Sequence, residues 1–209
     1  MRIIISLIAL LISVILLQLS TSGIGPLDAL SGLQLNFSKF EIGLLGSSHF
    51  LGFFIGCWWA PRLMGSVGHS RAFAAFTSLG AIGILAHMLI LNPYAWAIMR
   101  VASGLCVAGC YTVIEAWLND KTNNETRGRV MATYRVADMG ATMFAQLFIG
   151  LLAPAHYVSY NLLAIICCAA ILPLTLTKIN QPQIPKAPRL RVKLAFRRSP
   201  LAAVGVIIA

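Results

Sequence analysis

Apolar segments of about twenty residues alternate with short polar or basic stretches along the whole chain. Segments of this length cross the hydrocarbon core of a bilayer as α-helices, because a helix satisfies its own backbone hydrogen bonds there. The pattern predicts six spanning helices at residues 1–30, 42–59, 72–91, 94–118, 129–150 and 157–177. We therefore expect an all-α, polytopic membrane helix bundle.

The same pattern predicts three regions along the chain. The six helices form one bundle over residues 1–177, and residues 178–200 form a cytoplasmic linker that is rich in Lys and Arg and contains no acidic residue. Residues 201–209 are again apolar but too short to cross a bilayer. We expect them to be the start of a truncated seventh helix, and this chain to be a fragment of a longer protein.

Some local features of the first three helices can also be predicted. The first helix should loosen at Gly25 and Pro26, which would place Asp28 at the rim of the bundle. A compact basic loop at residues 61–71 should join the second and third helices. A signal peptide is the alternative for the first apolar run, but this run is long and no small-residue cleavage site follows it.

Composition and charge narrow the class of protein. With 58% hydrophobic and 11% charged residues, the chain is too apolar for a soluble domain. The net charge of +10 does not indicate nucleic-acid binding, because the basic residues cluster between the apolar spans. With the amino terminus inside, all of the sixteen Lys and Arg residues except Lys39 and Arg100 lie on the inner side or at its edge. This bias predicts that both ends of the chain face the cytoplasm.

The cysteines give no sign of a disulfide or a metal site. All five lie inside predicted spans, where thiols act as small hydrophobic groups. Cys106 and Cys110 share a helix face, but no His or carboxylate lies in register with them. We expect neither a metal nor a cofactor.

The fourth span carries the most distinctive polar pattern. Arg100, Gly104, Tyr111 and Glu115 are spaced by four, seven and four residues, which places them on one stripe of a helix. Arg100 and Glu115 would lie about 22 Å apart along the axis, near opposite ends of the span.

The fifth span carries a second stripe, formed by Arg135, Asp138, Thr142 and Gln146. Ionisable groups inside a bilayer are costly, so they normally face the bundle interior and pair. Arg135 and Asp138 could simply pair with each other. Alternatively, Asp138 lies near the bilayer centre, which is the depth of solute sites in carriers.

The first two spans leave alternatives open. Gln18, Ser22 and Gly25 share one face, which suits either close helix packing or a cavity wall. His49 is more typical of a hydrogen-bonded core histidine than of a proton carrier. Its neighbours Ser47 and Ser48 would allow an intramembrane hydrolase, but no hydrolase motif is present, so we do not expect an enzyme.

These features together resemble the first half of a major facilitator superfamily transporter. The resemblance rests on the six spans, the basic loop after the second span and the basic linker. The segment from Arg100 to Gly104 matches the Arg-x-x-x-Gly motif of that superfamily. The run from Glu115 to Asn119, with Asn124, residues 127–129 and Ser199-Pro200, is similar to the YcaD-like bacterial branch.

This resemblance implies a secondary active transporter of the bacterial cytoplasmic (inner) membrane. Such a protein would move a small solute by alternating access, with proton coupling as a further expectation and the carboxyl-terminal half of the same protein as its partner. The residues implied to line the aqueous path are Arg100, Asp138, Gln18, Ser22, Tyr111, Thr142 and Gln146. A non-transporting scaffold or assembly factor built on the same fold is the alternative.

A cytoplasmic gate is also implied by the resemblance. Its members would be Glu115, Arg71, Gly68, Arg127, Gly128 and Arg129. In the loop at residues 61–71, Gly68 and Arg71 match the superfamily's first signature, whereas Gly65 stands where that signature has an aspartate. Glu115 would then supply the acidic partner of Arg71.

Overall fold

The computed structural model describes residues 2–176, with side chains from residue 7 onward. All regular structure in this range is helical. The helices are α1 Arg2–Gln34, α2 Lys39–Val67, α3 His69–Ala86, α4 Pro93–Lys121, α5 Arg127–Ile149, α6 Tyr157–Ala169 and the short α7 Leu172–Leu176. The predicted linker at 178–200 and the predicted helix start at 201–209 lie outside the described residues.

The predicted membrane bundle is confirmed. Four of the described segments are long and apolar enough to cross a bilayer: Leu7–Gln34, Lys39–Val67, Pro93–Lys121 and Tyr157–Leu176. The helices α3 and α5 complete the six predicted spans. Helix α5 is less apolar, because it carries Arg129, Arg135 and Asp138.

Two helix starts follow directly from local sequence. Ser38 accepts a hydrogen bond from the backbone N–H of Glu41, and the Glu41 carboxylate accepts one from the backbone N–H of Ser38. This capping box fixes the start of α2. Helix α4 begins with Pro93 directly after Asn92, whose side chain accepts from the N–H groups of Tyr94 and Ala95.

Several predicted boundaries were wrong, and prolines account for most of them. Helix α1 does not loosen but continues through Pro26 to Gln34. Helix α2 likewise continues through Pro61, so the loop predicted at residues 61–71 is mostly helix. Packed neighbours allow prolines within membrane helices.

Gly68 alone separates α2 from α3. Its φ of 87° lies in a region that side chains disfavour, which explains the glycine. The sixth span is broken between α6 and α7, because the Pro173 ring cannot follow a continuous helix without clashing with the carbonyl of Ala169.

The helix packing has an internal symmetry. Helix α4 packs mainly against α2 and α3, α1 packs mainly against α5 and α6, and α3 also packs against α6. Exchanging α1 with α4, α2 with α5 and α3 with α6 maps each of these pairs onto another. This is the relation expected of two three-helix repeats, with α1 and α4 at equivalent central positions.

Glycines allow the close contact between α2 and α4. A Cβ on Gly104 would overlap the carbonyl oxygen of His49, and a Cβ on Gly52 would overlap the carbonyl of Val101. A Cβ on Gly56 would lie 2.7 Å from the Cβ of Ala108. Gly52 and Gly56 thus form a small-xxx-small pair that allows tight packing against α4.

Candidate functional site

A polar cavity of about 280 Å³ lies between α1, α2, α4 and α5. Its walls contain six of the residues that the resemblance implies for the aqueous path. The lining residues are Gln18, Thr21, Ser22, Gly25, His49, Arg100, Val107, Tyr111, Thr142 and Gln146. Their part in binding a solute stays a prediction.

Side-chain hydrogen bonds join α1 to α5 along the cavity wall. Gln18 Nε2 donates to Thr142 Oγ1 at 2.9 Å, and Ser22 Oγ lies 3.3 Å from the same oxygen. Gln146 Nε2 donates to the carbonyl of Ser22 at 3.5 Å. The polar face of α1 thus takes part both in helix packing and in the cavity wall, so the two alternatives left by the sequence are compatible.

Helices α4 and α5 are joined by a three-charge group, here named the inner cluster, which consists of Glu115, Arg135 and Asp138. Arg135 Nη2 donates to Glu115 Oε1 at 2.9 Å, and Arg135 Nη1 lies 3.8 Å from Asp138 Oδ2. The Tyr111 hydroxyl donates to Asp138 Oδ1 at 2.7 Å. Asp138 therefore does not line the cavity itself but lies directly behind Tyr111.

The predicted pairing of Arg135 with Asp138 is present, but Arg135 is shared with Glu115. Sequence spacing showed that Arg135 and Asp138 are neighbours on one helix. It could not show that Glu115 on another helix reaches the same guanidinium, and Arg135 was missing from the predicted gate for that reason.

The structure places the other predicted gate residues apart from Glu115. Within the described chain, the ion pair of Glu115 is formed with Arg135 and not with Arg71, Arg127 or Arg129. Gly128 faces open space. The joint action of these residues as a gate stays a prediction.

A second buried group of ionisable residues, here named the outer cluster, consists of Asp28, His87, Arg100 and Tyr160. The Tyr160 hydroxyl donates to Asp28 Oδ1 at 2.9 Å. Asp28 Oδ2 lies 3.4 Å from His87 Nε2 and 3.6 Å from Arg100 Nε. The cluster thus joins α1, α4 and α6 with the residue that follows α3.

The prediction that Asp28 lies at the rim was wrong, since only 1% of Asp28 is exposed. Depth along a helix does not determine burial when other helices cover the end of that helix. The imidazole of His87, the phenol of Tyr160 and the guanidinium of Arg100 surround the carboxylate and offset the cost of burying it.

The contact between His87 and Asp28 is one in which a shared proton would be favourable. His87 Nδ1 lies 2.7 Å from the carbonyl of Gly83, which can only accept, so Nδ1 carries a hydrogen. Nε2 then faces Asp28 Oδ2, and both atoms are buried without a hydrogen-bond partner. Two facing acceptors repel, so the contact is favourable when it holds one more proton, on the imidazole or on the carboxyl group. No sequence pattern indicated this role of His87.

His49 belongs to the cavity as well as to the helix packing. Its Nδ1 lies 3.0 Å from Ser103 Oγ on α4, and its ring lines the cavity. Ser47 donates instead to the carbonyl of Gly43 in its own helix. Among the described residues, no group of three or more His, Cys, Asp or Glu side chains could hold a metal ion.

A membrane bundle of two related three-helix units, with a polar cavity and charged clusters on its central helices, has the architecture of a secondary transporter half. The sequence model of the Major Facilitator Superfamily matches residues 10–209. The chain belongs to this superfamily and is a multi-pass membrane protein.

Relatives with known sequences agree with this assignment. The chain is 27% identical over 206 residues to the uncharacterized MFS-type transporter YcaD of Salmonella enteritidis, covering 95% of this chain and 53% of the relative. It is 26% identical over 206 residues to the YcaD protein of Salmonella newport, with the same coverage. The chain thus spans about half the length of the curated relatives it matches.

Solved structures share the fold. The nucleoside transporter NupG matches with a TM-score of 0.71 and 17% identity, over 97% of this chain and 50% of that protein. A POT family peptide transporter matches with a TM-score of 0.66 and 15% identity, over 94% and 42%. The proton:xylose symporter XylE matches with a TM-score of 0.63 and 14% identity, over 99% and 49%.

Proposed function

We propose that the whole protein is a secondary active transporter that moves a small polar solute across the bacterial cytoplasmic membrane by alternating access. The observation that supports this most strongly is the polar cavity, because it lies among helices whose remaining buried residues are mainly apolar. Polar groups inside a membrane bundle are costly and normally serve a solute or ion path. The solved relatives named above carry nucleosides, peptides or xylose, which agrees with a small solute.

The distribution of basic residues supports the orientation of this transporter. Lys121 at the end of α4 is basic, as are the start of α5 and the end of α2 near Arg62. Basic loops remain in the cytoplasm. In this orientation the inner cluster lies toward the cytoplasm and the outer cluster toward the opposite side.

The inner cluster is suited to closing the cytoplasmic side. Its ion pairs join α4 to α5, which otherwise touch little. Breaking them would let α5 move relative to α4 and open the cavity inward. The gate residues implied by the resemblance, Arg71, Arg127 and Arg129, would exchange partners with Glu115 in another conformation.

Charge within the inner cluster supports proton coupling. Glu115 and Asp138 share one arginine, so the cluster carries a formal charge of −1 when both carboxylates are ionised. A proton on Asp138 would neutralise this excess and weaken the hold of Arg135 on that side. Uptake of a proton would then be linked to the opening of the inner cluster.

The experiment is solute exchange by the whole protein in proteoliposomes. Vesicles are loaded with an extract of small metabolites, and mass spectrometry identifies what leaves them with and without a pH gradient. We expect at least one solute to exchange faster with the gradient. Asp138→Asn should remove this acceleration, whereas Asp120→Asn, a change at an exposed carboxylate of α4, should keep it.

The main alternative is a scaffold that transports nothing. It would be favoured if the whole protein, folded in vesicles, exchanged no solute and its second half had no charged spans. If the pH gradient accelerated solute exchange by Asp138→Asn as much as by the wild-type protein, the role of Asp138 would be contradicted. The transport function would not be affected by that result.

A further inference from the structure

We propose that the cavity binds its solute through an oxyanion, either a carboxylate or a phosphate group, held by the guanidinium of Arg100. This inference rests on the proposed transport function and names the chemical class of the solute. It is carried by the unmet hydrogen bonds of Arg100, by the wall beside it and by the absence of Asp and Glu from the cavity lining.

Arg100 is buried, with 6% of its surface exposed, and it lines the cavity. Its Nε and Nη1 atoms are buried without a hydrogen-bond partner among the described residues. The ion pair with Asp28 reaches Nε only at 3.6 Å, which is too long for a good hydrogen bond. A buried guanidinium with unused donors is costly, and a ligand that accepts from it recovers that cost.

The cavity wall leaves the guanidinium accessible to a solute. Arg100 Nη2 lies beside Gly25, 3.5 Å from the position that a Cβ on this glycine would occupy. Since Gly25 has no side chain, nothing from α1 covers the guanidinium at this point. Nη2 is therefore the guanidinium nitrogen that a carboxylate or phosphate oxygen can approach, while Nη1 of the same planar fork is buried and without a partner.

The charge around Arg100 favours an anion. Arg100 is a buried guanidinium whose ion pair with Asp28 is long, at 3.6 Å from Nε to Oδ2. The residues that line the cavity include no Asp or Glu, and His49 faces the same space. The hydroxyl of Tyr160, the other ionisable group of the outer cluster, donates a hydrogen bond to Asp28 Oδ1.

Two competing solute classes fit this wall less well. A cationic solute would meet Arg100 and His49 without an acid on the lining. A neutral polar solute could accept single hydrogen bonds from Arg100 but would bring no opposite charge to a guanidinium that is buried in a medium of low dielectric constant. An oxyanion satisfies both the donors and the charge.

The test uses the same proteoliposome exchange with the whole protein and asks which solutes move. We expect the exchanging species to carry a carboxylate or a phosphate. For a carboxylate solute, its amide should compete at least about tenfold less well in the wild-type protein, because the amide lacks the charge that strengthens a hydrogen bond to guanidinium. For a phosphate solute, the dephosphorylated compound serves as the matched competitor.

A variant series tests whether Arg100 is responsible. Arg100→Gln should reduce the preference for the charged competitor to less than about threefold, while Arg100→Lys should retain part of it, because lysine keeps the charge but loses the fork. Lys39→Gln, a change outside the cavity, is the control that should keep the full preference.

The outcomes separate the two proposals. Exchange of a neutral or cationic solute, or equal competition by the amide in the wild-type protein, would overturn the oxyanion site and leave the transporter intact. No exchange of any solute would overturn the transport function itself. The wild-type competition needs no variant, so misfolding of Arg100→Gln would not leave the question open.

Discussion

Asp28 and Arg100 depend on each other because both are buried among apolar helices. Removing either residue would leave the other without its partner in this ion pair. Removing one partner of a buried ion pair typically costs about 3–5 kcal/mol, whereas replacing both costs much less. The two residues should therefore be strongly coupled in stability.

This coupling can be measured with a double-mutant cycle on the purified whole protein. Asp28→Asn and Arg100→Gln should each lower the thermal unfolding midpoint, and the double variant should unfold well above the temperature expected from adding the two losses. The matched control is Asp120→Asn, which removes an exposed acid and should change little. Additive losses would mean that the ion pair contributes nothing.

The residue scale also shows what a single sequence can determine. Helical spacing put Gln18, Tyr111 and Thr142 each on a polar stripe of its own helix, and the resemblance to the superfamily implied that these stripes line one aqueous path. His87 and Arg135 were missed because their partners come from other helices, and spacing within one helix carries no information on such contacts. Asp28 was misplaced for the same reason.

At the scale of helices, the contact between α2 and α4 determines how the bundle packs. Gly104 matches the superfamily motif in sequence, and in the structure it lets the backbone of α2 approach within contact distance. The arginine of this motif borders the cavity and the glycine fixes the helix that carries it. The motif thus positions Arg100 through close helix packing.

Gly104→Ala should strongly destabilise the bundle, because its Cβ would overlap the backbone of His49 and force α2 and α4 apart. Gly46→Ala is the matched control on α2, since a Cβ there meets nothing within 4 Å. We expect a lower unfolding temperature and a lower yield of monodisperse protein for the first variant only. Equal behaviour of both variants would contradict the packing role.

Helix number and order were predictable from sequence, whereas helix ends were less so. The apolar runs determine which segments cross the bilayer, and the predicted start of the fourth span at residue 94 lies within one residue of the start of α4 at Pro93. Pro26 and Pro61 were interpreted as helix breaks, although packed neighbours keep both helices continuous. Pro173, in contrast, does lie next to a helix break. The sequence of one helix does not reveal whether its neighbours can compensate for a missing hydrogen bond.

At the scale of the whole molecule, the two three-helix units enclose a cavity that lies between the outer cluster and the inner cluster. Arg100 of the outer cluster lines the cavity, and the inner cluster has two carboxylates for one arginine. Because the chain spans about half the length of its curated relatives, we propose that the remaining half supplies the opposite wall of the solute site.

Alternating access is the central claim, and the accessibility of the cavity from each side of the membrane tests it most directly. Gln146 lines the cavity and is exposed, so Gln146→Cys in a whole protein without its native cysteines provides one labelling site. A membrane-impermeant maleimide is then applied to right-side-out and to inverted vesicles. Asn124→Cys, in the loop between α4 and α5, is the control that should react from one side only.

We expect Gln146→Cys to react from both sides of the membrane, and the transported solute to raise its labelling from one side while lowering it from the other. Labelling from one side only, at a rate that no solute changes, would contradict alternating access by this cavity.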